Sequence, residues 1–329
     1  MSWQIAGHGW AVALLRRRLA AGRASHAYLF TGPPQIGKTL LARTLAQALN
    51  CPEPDPPCGR CPTCTRIAGG SHPDVRVVKG EGASDSLKID QVRALQREAA
   101  LFPYEGRKRV FILRRMDLAS TEAANSLLKT LEEPPAHVVL ILTAVDLDAL
   151  PPTVVSRCQR LDLRPLSRGR VEAALREMGV GGDQARLLAG LSAGRIGWAI
   201  DAGHDTALLS RRQRELDHLV RLLPASRVER LSLAESLGRD PRASREMLEL
   251  WAAWWRDLLL LSGRGDGPVV NVDRLAELRT LARPERLGEV WATLQALQSA
   301  AAQIEDNVSP RLALEGLLLK LPRWPAATE

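Results

Sequence analysis

The 329 residues carry 45 lysines and arginines against 37 acids, a net charge of +8, with 45% hydrophobic and 25% charged residues. Such a length predicts two or three domains with a sizeable core, and the composition is that of an ordinary soluble globular protein. No apolar run reaches the ~18 residues of a membrane span and the start MSWQIAGHGW lacks a signal-peptide pattern, so a cytoplasmic protein without membrane partners is expected.

Residues 1–162 hold 21 basic and 15 acidic residues, so +6 of the net charge lies in the first half. This leans toward a polyanionic partner, with a solvated arginine-rich surface as the plain alternative, because no Lys/Arg run concentrates the charge.

In chain order, AYLFT at 27–31 reads as a buried strand. It runs into TGPPQIGKT, a G-x-x-x-x-G-K-[ST] loop that opens a helix with Leu41, Leu45 and Ala48 facing inward. Backbone N–H groups of such a loop curl round phosphates at a positive helix end, Lys38 reaches the outer phosphates and Thr39 offers a hydroxyl to magnesium. The expected nucleotide contacts are Gly32, Pro33, Pro34, Gly37, Lys38, Thr39 and Leu40.

Four of the five cysteines follow within fourteen residues, Cys51, Cys58, Cys61 and Cys64 in CPEPDPPCGRCPTC. A cytosolic chain does not normally use such a cluster for disulfides, and four thiolates match tetrahedral zinc in a closed, structural site. A redox role for the Cys61-x-x-Cys64 pair is the minor alternative. Cys158 stands apart and reads as a small buried hydrophobe.

Four more buried strands are expected at DVRVV, VFIL, HVVLILT and QRLDL, with helices between them, which predicts a parallel five-stranded α/β sheet. The helix STEAANSLLKTLEE is capped by Ser120, buries Ala124, Leu127, Leu128 and Leu131, and is stopped by Pro134-Pro135. The strand Val110–Leu113 ends in Arg114-Arg115. Past residue 162 no strand pattern remains. Residues 163–205 read as a small helical unit and 206–329 as a larger helical bundle, interrupted by a loop at 262–272 expected to be mobile. Trp251, Trp254, Trp255 and Leu258 form one stripe, more apt for a core or subunit interface than for stacking on nucleic acid.

The phosphate loop, the four-cysteine module, NSLLKTLEEPP and LPPTVVSRCQ together resemble the AAA+ clamp-loader subunits of bacterial DNA polymerase III, over about residues 23–165. The C-terminal NVSPRLALEGLLLKL is similar to the end of the delta prime type. The resemblance implies an AAA+ domain over 1–162, a helical lid over 163–205 and an all-α collar over 206–329. It implies a hetero-pentameric ring with gamma/tau and delta subunits that loads the sliding clamp at primer-template DNA. It further implies that Arg157 of the SRC motif is an arginine finger for ATP on a neighbouring subunit.

Aligned without gaps, Arg114 and Arg115 fall where the hydrolysing gamma type has Asp-Glu, with Asp117 two positions late. Guanidinium groups neither bind magnesium nor polarise water; a charged strand end facing solvent is their plain alternative. Gly197 falls where hydrolysing members carry a sensing arginine, with Arg195 two residues off, and Ala144 where a polar sensor is usual, beside Thr143. The expected chain is therefore a subunit that accepts ATP or ADP, lacks acidic magnesium ligands and does not hydrolyse. A hydrolysing gamma/tau-type subunit and a stand-alone DNA-binding module are the alternatives.

Overall fold

In a computed structural model that describes residues 3, 5–81, 85–263, 265, 267–306 and 308–324, the first half of the chain builds a sheet of five strands: β1 (Ala27–Thr31), β2 (Val75–Val78), β3 (Arg109–Leu113), β4 (Val138–Ala144) and β5 (Gln159–Asp162). All pairings are parallel and the order is β2-β3-β4-β1-β5. Each expected strand is present within a residue or so of its predicted limits.

Helices α1 (Gly9–Ala20), α2 (Lys38–Asn50), α3 (Pro62–Gly69), α4 (Ile89–Ala99), α5 (Thr121–Glu132) and the single turn α6 (Pro152–Val155) alternate with the strands. Because side chains alternate across a strand, each central strand feeds two cores. Tyr28, Phe30, Ile112 and Ile141 pack with Leu15 of α1 and Leu41 and Leu45 of α2. On the opposite face Leu29, Phe111, Leu140 and Leu142 pack with Val92 and Leu95 of α4 and Leu127 and Leu131 of α5. Ser120 caps α5 as expected, its hydroxyl accepting from the Ala123 N–H at 3.1 Å.

The remaining helices are α7 (Arg168–Glu177), α8 (Gly182–Leu191), α9 (Ile196–His204), α10 (Thr206–Leu222), α11 (Arg227–Leu237), α12 (Pro241–Ser262), α13 (Leu275–Leu281), α14 (Leu287–Glu305) and α15 (Pro310–Lys320). The chain divides into two compact units, residues 1–174 with 194–198, and residues 175–193 with 199–329. The stretch 163–205, expected as a small unit of its own, is thus split between them. Among the described residues no helix is long and apolar enough to cross a membrane.

In the second unit Trp251, Trp254, Trp255 and Leu258 of α12 are fully buried and meet Val290 and Leu297 of α14 and Leu314 and Leu317 of α15. The tryptophan stripe is therefore core. In the loop at 262–272, Arg264 and Asp266 lie outside the described residues; Val270 and Asn271 are tied by their N–H groups to the buried Asp257 carboxylate at 2.9 and 2.7 Å.

A buried cation locks the end of this unit. Arg230, 4% exposed, donates to the carbonyls of Leu222, Leu223, Leu318, Leu321 and Pro322 at 2.6–3.1 Å. Its guanidinium thereby satisfies carbonyls that the ends of α10 and α15 leave open. Arg230→Ala should cost about 3 kcal/mol or more, since hydrogen bonds to a charged group are lost and several carbonyls are left dry. A urea titration followed by the fluorescence of the buried tryptophans measures the loss.

Candidate nucleotide, finger and metal sites

The phosphate loop leaves β1 at the carboxyl edge of the sheet and enters α2 through Gly37. Gly32 has φ +133°, and a Cβ there would lie 2.2 Å from the Leu163 carbonyl oxygen, so only glycine fits. Lys38 is 7% exposed and folds back on the loop, its Nζ donating to the carbonyls of Gly32 and Pro33, the latter at 2.7 Å. Burial lowers its pKa to about 8; the Asp117 charge opposes that shift, while the charges of Arg115 and Arg114 add to it.

Those two arginines follow β3. Leu113 pairs with Leu142 and Leu142 with Leu29, so the ends of β3, β4 and β1 stand side by side, and Arg114 and Arg115 sit on the edge from which the loop rises. Arg115 adopts a left-handed backbone, φ +52° and ψ +53°, its N–H donating to the Thr143 hydroxyl at 3.3 Å. That turn brings its guanidinium back onto Asp117, with Nε and Nη2 at 3.0 and 2.9 Å from one carboxylate oxygen. The other oxygen accepts from the Val145 N–H at 3.1 Å, and the Asp117 side chain is only 3% exposed. Asp117, in the short 3-10 turn Met116–Leu118, is thus consumed within the fold.

A magnesium ion needs near-octahedral oxygens, normally one or two carboxylates beside waters and phosphate. Of the charged groups that act on Lys38, two are guanidiniums, and the one carboxylate, Asp117, is already held by three donors. The donor set does not fit a protein-held divalent ion. Thr143, the fallback polar sensor, is 2% exposed and serves Arg115, and Ala144 is fully buried.

The Gly197 N–H donates to the Gln35 carbonyl at 2.8 Å, and a Cβ at 197 would come within 2.7 Å of that oxygen. Backbone therefore lies where a sensing side chain would have to begin. The sequence reading passed over His8, which is buried with Nε2 3.0 Å from the Ile36 carbonyl of the loop and has its pKa lowered by burial. A lone histidine in an N-terminal helix gives no signal of such a contact.

Arg157 follows α6 and is half-buried. Its guanidinium lies 2.5 Å from a Glu132 carboxylate oxygen and donates to the Thr153 carbonyl at 2.9 Å. Glu132, Arg157, Ser156, Leu131 and His26 line an open cleft of about 590 Å³. Glu132, the last residue of α5, is thus the partner of the SRC arginine.

Cys51 ends α2, Cys61 caps α3, and the four sulfurs of Cys51, Cys58, Cys61 and Cys64 lie within 4.8 Å of one another. Tetrahedral zinc with Zn–S bonds of about 2.3 Å places sulfurs roughly 3.8 Å apart. The sulfurs of Cys51, Cys58 and Cys61 accept backbone N–H groups from Cys58, Cys61 and Cys64 at 3.3–3.4 Å; backbone hydrogen bonds lower the Cys58 thiol to about 7, while burial raises those of Cys51 and Cys64. The cluster could hold a metal ion. Cys158 is partly buried against the sheet core and its thiol is pushed up to about 12 by burial, as its reading as a hydrophobe requires.

A parallel sheet in this order, with a phosphate loop after β1 and an all-helical unit to follow, defines an AAA+ P-loop protein. A family model described as DNA polymerase III, delta subunit, matches residues 7–167. DNA polymerase III subunit delta' of Bacillus subtilis is 29% identical over 313 residues, 94% of each chain. The gamma/tau subunit of Mycobacterium tuberculosis is 29% identical over 360 residues, 97% of this chain but 60% of that longer protein. A gamma subunit-related protein of Thermotoga maritima aligns in structure over 94% of this chain and 97% of its own, at 15% identity and a TM-score of 0.47. These matches support the DNA polymerase III clamp-loader family for the chain.

Two measurements check the site. Lysine NMR should find one amine, Lys38, titrating near 8, and Arg115→Ala should move it. Because the folded chain releases this proton near 8 and the unfolded chain near 10.5, folding stability from this group should grow as pH rises between those values. Metal analysis should find zinc with the purified chain, and Cys61→Ser or a strong chelator should remove it and unfold the 51–69 segment; failure of zinc to co-purify counts against the metal reading.

Proposed function

We propose that this chain is the delta prime type of clamp-loader subunit. It holds ATP or ADP on the Gly32–Leu40 loop without hydrolysing it and lends Arg157 to a neighbouring ATPase subunit. The observation that carries the first part is the capture of Asp117 by Arg115 and the Val145 N–H, beside a second arginine, at the edge where hydrolysis needs free acids. The match to the Bacillus delta' subunit along 94% of both chains supports the assignment.

In this reading residues 163–205 act as the lid and 206–329 as the collar of a hetero-pentamer with gamma/tau and delta subunits. Sliding clamp and primer-template DNA are engaged through that complex in the cytoplasm, and zinc on Cys51, Cys58, Cys61 and Cys64 is structural. Arg157 supports the finger role because its guanidinium lies at an open cleft, held by the Glu132 carboxylate, the Thr153 carbonyl and the Ser156 hydroxyl. A cation offered across an interface stabilises charge developing on the transferred phosphoryl group.

Arg157→Ala in a reconstituted loader should leave assembly unchanged by size-exclusion chromatography and slow turnover at the neighbouring site by roughly 100-fold or more; unaltered total ATPase excludes an essential finger. The isolated chain should release no phosphate above a Lys38→Ala control. Release abolished by that substitution would instead make the chain a hydrolysing gamma/tau-type subunit, with Asp117 freed from Arg115.

A further inference from the structure

We propose that the loop takes its nucleotide as the magnesium-free polyphosphate, with the Arg114 guanidinium supplying the positive charge that a divalent ion supplies in a hydrolysing site. The inference rests on the reading of the loop as a nucleotide holder and names the form of ligand it accepts.

Placement comes first. In the register Leu29, Leu142 and Leu113 stand abreast on β1, β4 and β3, so Arg114 is level with Phe30, two residues before Gly32. Two interstrand spacings separate β3 from β1, about 10 Å, and both ends open on the same edge of a parallel sheet. Arg114 is held there by its own N–H, which donates to the Val78 carbonyl at 2.9 Å, so its backbone stays in line with β3 while that of Arg115 turns back.

Charge comes second. Arg115 is neutralised by Asp117, whereas Arg114 has no carboxylate within ion-pair distance among the described residues. The edge therefore presents Lys38 and Arg114, neither of them in an ion pair among the described residues. That their charges act on a common space agrees with the lowered proton affinity of Lys38, to which Arg114 contributes.

Ligand chemistry comes third. A guanidinium carries five donors in a planar fork that meets two phosphate oxygens at once. A magnesium ion brought to the same phosphates would face that cation, and both oxygens of Asp117, the acid whose charge reaches Lys38, are already engaged. The preferred ligand is thus a nucleoside di- or triphosphate whose outer phosphates are met directly by Lys38 and Arg114. Nothing in this arrangement activates water, so the bound nucleotide persists.

The test is isothermal titration calorimetry of the full chain with ATP and with ADP, in buffer containing magnesium and in buffer freed of magnesium by resin treatment, without a soluble chelator that would also attack the cysteine centre. Binding without magnesium should be as tight as with it or tighter, within about twofold at most on the weaker side. Arg114→Ala should weaken magnesium-free binding by roughly tenfold, the worth of a charge-assisted hydrogen-bond pair, and Arg114→Lys should recover part of that loss. Arg114→Asp should make binding depend on magnesium. Wild-type binding strengthened about tenfold or more by magnesium, or an unchanged affinity in Arg114→Ala, overturns this proposal and leaves the nucleotide-holding reading in place. Absence of binding by either nucleotide in both buffers overturns both.

Discussion

One ion pair decides what the carboxyl edge of this sheet can do: Arg115 closing on Asp117 two residues later. A parallel sheet collects loop ends on one edge, and in P-loop proteins that edge must hold phosphates, a metal and a water at once. Here the acid whose charge acts on the loop lysine, Asp117, is drawn inward, 3% exposed, and its negative charge is spent on a neighbour. The remaining features at this edge agree with that choice. The Thr143 hydroxyl accepts from the Arg115 N–H, Lys38 rests on its own loop carbonyls, and Arg114 continues the line of β3.

A carboxylate so buried is tolerable only because its partners are close and numerous. An isolated ionised carboxyl at this depth would take up a proton or unfold the turn. The left-handed backbone at Arg115 carries a cost of about 1 kcal/mol or more for a non-glycine residue. The paired guanidinium and the Val145 N–H offset it. The same logic runs through the second unit, where Arg230 among five carbonyls and Asp257 beneath two N–H groups hold loops that apolar packing alone would leave loose.

Much of this was readable before any coordinates. Mainly apolar five- to seven-residue runs such as AYLFT and VVLILTA, bounded by turn signals, read as buried strands, and the phosphate loop between one of them and a helix marks the edge of the sheet that takes phosphate. The cysteine spacing likewise brought four sulfurs together, because the turns between them are short. What pattern could not supply are contacts made across long sequence separations by ordinary residues. Neither reading of Arg114-Arg115, as cations in place of acids or as a solvent-facing strand end, foresaw the inward turn of Arg115, which depends on one unusual φ. His8 on the Ile36 carbonyl and Glu132 on Arg157 had no motif to mark them. The small helical stretch 163–205 read as one body because its composition is uniform; by compactness, 163–174 and 194–198 group with the first unit and the rest with the second.

The Gly197 backbone against the Gln35 carbonyl sets a steric condition on this edge of the loop. Any side chain installed at 197 would collide with that carbonyl, so main chain fills the room a larger residue would need. The loop and the start of α9 would have to part before any new group could enter there.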